Sequence, residues 1–224
     1  RRLGTLYLEA DDYREGLRTL RQAATYYREH ARAPEVTQQM AEAFSRLFLD
    51  DAADKLSPVS AIALFEEFRE LTPVGGRGDD MIRKLADRLT KVDLLDRAAE
   101  LLRGQVEFRL KGAERTRIGN QLALVYLLDR KPDEALQTLR LTDEPDLPPD
   151  LAAQRLHLRA KALMAKGDGA AALAALKDDK SLDGELLKAE VYWEAQDWER
   201  TVQALQRVLR EAKAEPRRPV TKTQ

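Results

Sequence analysis

The chain has 224 residues, 43% hydrophobic and 34% charged, with 38 Lys+Arg against 39 Asp+Glu and a formal net charge of −1. That balance argues against the broad basic footprint of a nucleic-acid binder. With no cysteine, a disulfide framework, a thiol nucleophile and a zinc knuckle are excluded.

The abundance of Leu, Ala, Arg and Glu and the scarcity of β-branched residues favour helices. At 6%, aromatic residues are too few for a barrel or sandwich built on aromatic cross-strand pairs. The longest apolar run, Leu122 to Leu128, is far shorter than the ~18 residues of a spanning helix, so no membrane insertion of this segment is expected. The chain opens at Arg1 with neither Met nor a signal-like segment and reads as part of a longer protein. Lack of cysteine suits either cytosol or periplasm; a soluble segment, with the cytoplasm favoured, is expected.

Taken in chain order, the elements recur as pairs of helices. "LGTLYLEADDYREGLRTLRQAA" holds Gly4 followed by Tyr7, then Gly16 and Leu20, with Asp12 as N-cap of the second helix. The next pair opens with Ala41 and Phe44 and closes with Ala61, Phe65, Phe68 and Pro73. Its longer interval predicts a first helix extended by about two turns. Ser57-Pro58 supplies a cap and a first-turn proline for its second helix.

"PVGGRGDD", Pro73 to Asp80, lacks the Gly-Lys-Ser/Thr sequence and preceding strand of a phosphate loop. It reads as a flexible joint between pairs, with the next helix beginning at Met81 and Asp79 or Asp80 as its cap; Arg77-Gly78-Asp79 is a weak three-residue match. Beyond it come Ala86 with Leu89, then Ala98 and Leu102. "LALVYLLDRKPDEALQTLR" repeats the spacing with Ala123, Tyr126, Ala135 and Leu139, and Pro132 suits a first helical position. Ala160, Leu163, Ala172 and Leu176 follow, divided by the breaker Gly167 and the cap Asp168. "KAEVYWEAQDWERTVQALQRVL" closes the series with Ala189, Tyr192, Thr201 and Leu205, capped by Asp197. The tail "AEPRRPVTKTQ" has no apolar period and reads as disordered.

A small residue, a large one three later, a small one twelve later and a leucine four beyond that recur in five registers. This pattern resembles the tetratricopeptide repeat (TPR), a helix-turn-helix unit of about 34 residues. The resemblance implies an all-α chain: a right-handed α-solenoid of about six TPR-like helical hairpins. The units would run approximately 1–34, 35–73, 79–112, 116–147, 150–180 and 183–211, followed by a disordered tail, 212–224. No unit carries the tryptophan often found early in the first helix, and anchor spacing runs from 29 to 45 residues, so the array is divergent.

The resemblance also implies a concave groove lined by the first helices, binding proteins or peptides. Carried over by register, the groove residues are Arg83, Arg117, Asn120, His157, Lys161, Glu190 and Trp193. Their donors suit an acidic peptide or one ending in a carboxylate. The carboxylate-clamp pattern is not met, since Leu124 stands at its second asparagine position and Asp87 follows Arg83.

No catalytic residue, metal site or cofactor is expected. His30 and His157 lie on different pairs without a nucleophile, His30 at a helix end and His157 as a polar groove contact. Adjacent acids such as Asp178-Asp179 do not converge on one point. Trp198 is read as core, while Trp193 is either an exposed anchor for a partner or a packing residue. The function expected is therefore a non-enzymatic scaffold or adaptor for proteins or peptides. The alternatives are a structural, self-associating or spacer segment of an envelope or multiprotein assembly and, less favoured by charge, an RNA-binding helical repeat.

Overall fold

A computed structural model describes residues 1–50 and 52–214. Among them are twelve α-helices, forming six hairpins, and two short 3-10 turns, with no strand. The chain divides into two compact units, Arg1–Leu101 and Leu102–Gln224. Helices α1 (Arg2–Glu9), α2 (Tyr13–Tyr26), α3 (Ala33–Leu49), α4 (Pro58–Glu67) and α5 (Gly76–Lys91) belong to the first. Helix α6 (Leu95–Phe108) holds the division point. The second unit holds α7 (Gly112–Leu128), α8 (Pro132–Leu141), α9 (Pro149–Ala165), α10 (Gly169–Ala175), α11 (Leu182–Glu194) and α12 (Trp198–Ala214). The tail expected to be disordered falls, from residue 215 onward, outside the described residues.

The hairpins are built on one turn, used five times. In each, the first helix ends five residues after its small anchor, at Glu9, Lys91, Leu128, Ala165 and Glu194. Two residues further on, Asp11, Asp93, Arg130, Gly167 and Gln196 adopt left-handed backbone, with φ between 56° and 78°. The N–H after each donates to the carbonyl of the large anchor partner, Tyr7, Leu89, Tyr126, Leu163 or Tyr192, at 2.8–2.9 Å. A second bond closes inside it, as from Asp11 N–H to Leu8 O at 3.2 Å. This is a Schellman ending, which satisfies the last carbonyls of the helix. Only Gly167 enters the left-handed region free of Cβ strain; Asp tolerates it, whereas Arg130 and Gln196 hold it at a cost.

The residue after the left-handed one also starts the next helix. Asp12, Asp168 and Asp197 donate their N–H backward into the turn while their carboxylates accept from Glu15, Ala171 and Arg200 N–H at 3.3, 3.0 and 3.1 Å. One aspartate thus finishes one helix and caps its successor. Pro132 occupies the first turn of α8 as expected.

The spaced small residues are interior. Gly4 and Gly16 are buried, as are Ala86, Ala98, Ala123, Ala135, Ala160, Ala172, Ala189 and Thr201. A methyl at Gly4 would lie 2.7 Å from Leu20 and 3.2 Å from the Gly16 carbonyl, so α1 and α2 meet too closely for alanine. Of the paired leucines, Leu20, Leu102, Leu139 and Leu176 are buried, but Leu205, on the last described helix, is half-exposed.

The second hairpin departs from expectation. Ala41 is only half-buried, and α3 instead buries Ala43 and Ser45, the latter three residues before Phe48. The helix is not lengthened by two turns; the inserted residues form a 3-10 turn, Ala52–Lys55. Lys84 of α5 donates to the carbonyl of Leu49, the last residue of α3, and Arg88 to that of Ala53 in the 3-10 turn, so charged donors satisfy backbone carbonyls on both sides of the helix end. The Ser57 hydroxyl accepts from Ser60 N–H at 3.1 Å and Pro58 follows, as the sequence indicates. Phe44, Phe48 and Phe65 form the core here, with ring centroids 5.0–6.0 Å apart.

The glycine cluster is also corrected. Helix α5 starts at Gly76, preceded by Gly75 at φ 75°, and Gly78 is buried in its first turn. Neither Asp79 nor Asp80 is the N-cap, and the joint shrinks to the few residues before Gly76. Left-handed Gly75 ends the joint earlier than the acids suggested. His30 lies four residues beyond α2, where its Nδ1 accepts from Arg32 N–H at 3.1 Å.

Candidate functional site

In the second unit α7 packs on α8 and α9, and α9 on α10 and α11, so the first helices α7, α9 and α11 follow one another. Their interiors are apolar clusters, Ala123, Ala135, Leu139 and Ala162 in one place and Ala160, Leu176 and Leu187 in the next. Positions equivalent by register along these helices make up the candidate face.

Two groove candidates are consumed in holding that face together. Asn120 is buried; its amide donates to the Leu151 carbonyl at 3.3 Å and its oxygen accepts from Arg155 at 3.1 Å. Arg155 also donates to Asp143 at 3.1 Å and to the Thr142 hydroxyl at 3.2 Å. Burial pulls the Arg155 guanidinium below its ordinary value, against the opposing Asp143 carboxylate.

His157 donates from Nε2 to Asp179 at 2.6 Å, and the other oxygen of Asp179 accepts from Ser181 N–H at 2.8 Å. Burial would raise the Asp179 pKa, but the Ser181 and His157 hydrogen bonds outweigh it and hold the carboxyl below its usual range. Gly184 is required beside this pair, since a methyl there would lie 2.4 Å from the Asp179 carboxylate. Both residues connect consecutive first helices or the loop between them.

The remaining candidates divide. Arg117 is exposed and paired with Glu114 at 3.3 Å. Lys161 and Glu190 are exposed and have no ion-pair partner among the described residues. Trp193 is 61% exposed. Arg83 lies on α5 in the first unit, paired with Asp80.

Three further large apolar residues near these candidates are exposed, none of them in the set carried over by register. Leu124 and Leu128, one turn apart on α7, are 44% and 54% exposed. The run Leu122–Leu128 carried the signal: seven near-continuous apolar residues cover more than one side of a helix, so some must face water. Trp198, expected in the core, is 53% exposed and meets Trp193 edge-on with centroids 5.1 Å apart. It occupies the first position of α12, and a helical side chain covers the turn N-terminal to its own Cα.

No group of three or more His, Asp or Glu side chains able to hold a metal occurs among the described residues. No described helix is long and apolar enough to cross a membrane.

No family model matches the chain, and no curated protein matches it in sequence. Solved structures do match. BtubC (BKLC) from P. vanneervenii is 15% identical, with 97% of this chain and 95% of that chain covered and a TM-score of 0.58. The "putative kinesin light chain nearly identical TPR-like repeats" of Podosopora anserina are 18% identical, with 91% of this chain and 97% of that chain covered and a TM-score of 0.53. What the chain shares with both is the TPR-like helical repeat fold.

Proposed function

We propose that the chain is a non-enzymatic scaffold that binds a peptide segment of a protein partner on the face formed by α7, α9 and α11. The observation that carries this reading is the set of exposed Leu124, Leu128 and Trp193 at first-helix positions, interleaved with Lys161 and Glu190. Apolar anchors beside unpaired charges of both signs suit a peptide with large apolar side chains flanked by charge. Lys161 and Arg117 would take its acidic groups, and Glu190 a basic one. Asn120 and His157 act beneath, setting the spacing of the helices. Arg83 belongs to a different unit and contributes no contact to this reading.

The test is selection of displayed twelve-residue peptides against the chain, with counter-selection against the Leu124→Asp/Lys161→Glu/Trp193→Ala variant. Recovered peptides should bind the native chain at least about tenfold more tightly than the variant, the loss expected on removing one hot-spot anchor. Peptides that bind both equally, with the variant folded by circular dichroism, would remove this face as the site.

A further inference from the structure

A cleft of about 580 Å³ opens in the second unit among α10, α11 and α12. It is separate from the face above, and none of its lining residues belongs to that set. Its walls carry Lys177, Lys180, Lys188, Arg207 and Arg210 against one carboxylate, Glu185, a local charge of five minus one, or +4. The whole chain has a net charge of −1, so this excess is a concentration and not an average.

The single acid does not neutralise the cleft; it organises it. Glu185 is buried and accepts from Lys188 at 2.9 Å and from Arg207 at 2.5 Å, while Lys188 also donates to the Asp179 carbonyl. Burial would raise the Glu185 pKa, but Lys188 and Arg207 hold it below its ordinary value, so the carboxylate stays charged and keeps both cations in place. At the rim, Lys180 and Arg210 have no carboxylate partner among the described residues; Arg210 donates only to the Gln206 carbonyl at 3.4 Å. Lys177 has only the largely exposed Asp178 at 3.8 Å.

We propose that this cleft binds a compact anion bearing several phosphates. Five cations, from the α10–α11 connection, α11 and α12, surround one volume instead of following an extended track, and that volume falls within the range of small-molecule sites. A charge of +4 calls for a multivalent ligand. Guanidinium forks and lysine point charges together are the donor set that phosphate oxygens use. Leu173 and Tyr192 supply the apolar wall.

The probe is inorganic tripolyphosphate, titrated calorimetrically into the full chain at ~150 mM salt, where long-range attraction alone is screened. Saturable one-to-one binding is expected. Lys180→Glu/Arg210→Glu should weaken it about tenfold or more, as loss of charge-assisted contacts predicts, with an unchanged helical spectrum. Lys161→Glu, on the other face, should leave it unaltered. Absence of saturable binding by the native chain, or undiminished binding by the folded double variant, overturns the site. A decaglutamate peptide that binds through Lys180 and Arg210 and is not displaced by tripolyphosphate overturns the phosphate class.

Discussion

The two units solve the same packing problem with different materials. In the first, the second hairpin is filled by Phe44, Phe48 and Phe65, and Arg21 lays its guanidinium 4.0 Å over the Phe68 ring. In the second, alanines and leucines suffice, and polar stitches such as Asn120 to Leu151 and His157 to Asp179 join consecutive repeats. The outward positions differ as well. One and five residues past the anchor, α1 carries Thr5 and Glu9 and α5 carries Asp87 and Lys91, whereas α7 carries Leu124 and Leu128. Where spacing is regular, small residues fill the junction between helices; where an insertion breaks it, bulky rings fill the interior. Small-residue spacing thus sets the packing of a hairpin but not the chemistry of its outward positions, which are polar on α1 and α5 and apolar on α7.

Breaking the aromatic interior should have the largest effect. Phe44→Ala empties a fully buried site and should cost about 3–5 kcal/mol, read from urea unfolding. Asp179→Asn tests the polar stitching and should cost about 1.5–3 kcal/mol at neutral pH. Because the folded carboxyl titrates below its unfolded value, this contribution is present above the ordinary carboxylate range, near 4. It vanishes as pH falls through the lowered folded value, so native and variant melts should converge in acid.

Ala135→Leu overpacks the junction of α7 and α8 and should cost about 1–3 kcal/mol, where the same change at an exposed alanine would cost little. Arg130→Gly relieves left-handed strain and should raise stability by up to about 1 kcal/mol by thermal unfolding, while Gly167→Ala should lower it by a similar amount. At the small end, Lys161→Glu should leave stability within about 0.5 kcal/mol, so that any loss of peptide binding reports the surface alone.

Much of the architecture was legible because it is local. Asp12, Asp168 and Asp197 cap helices through bonds three residues long, and Pro132 and Ser57-Pro58 act within one turn. The α5 start was not, since Gly75 and Gly76 carry no side-chain cap and the acids that follow imitate one. The site was half legible. Register put Lys161, Glu190 and Trp193 at positions that are exposed, but it could not foresee that Asn120 and His157 would spend their hydrogen bonds inside the protein.

Residue spacing by itself determined the paired helices and the shared burial of Gly16, Ala98, Ala135 and Ala172, because a recurring small side chain permits close approach wherever the backbone returns. Tertiary structure alone decided which polar groups remain available and where cations collect. His157 meets Asp179 twenty-two residues away, and Glu185 gathers Lys188 and Arg207 across two helices. Such partners come from neighbouring elements, and their distances arise only once the hairpins have packed.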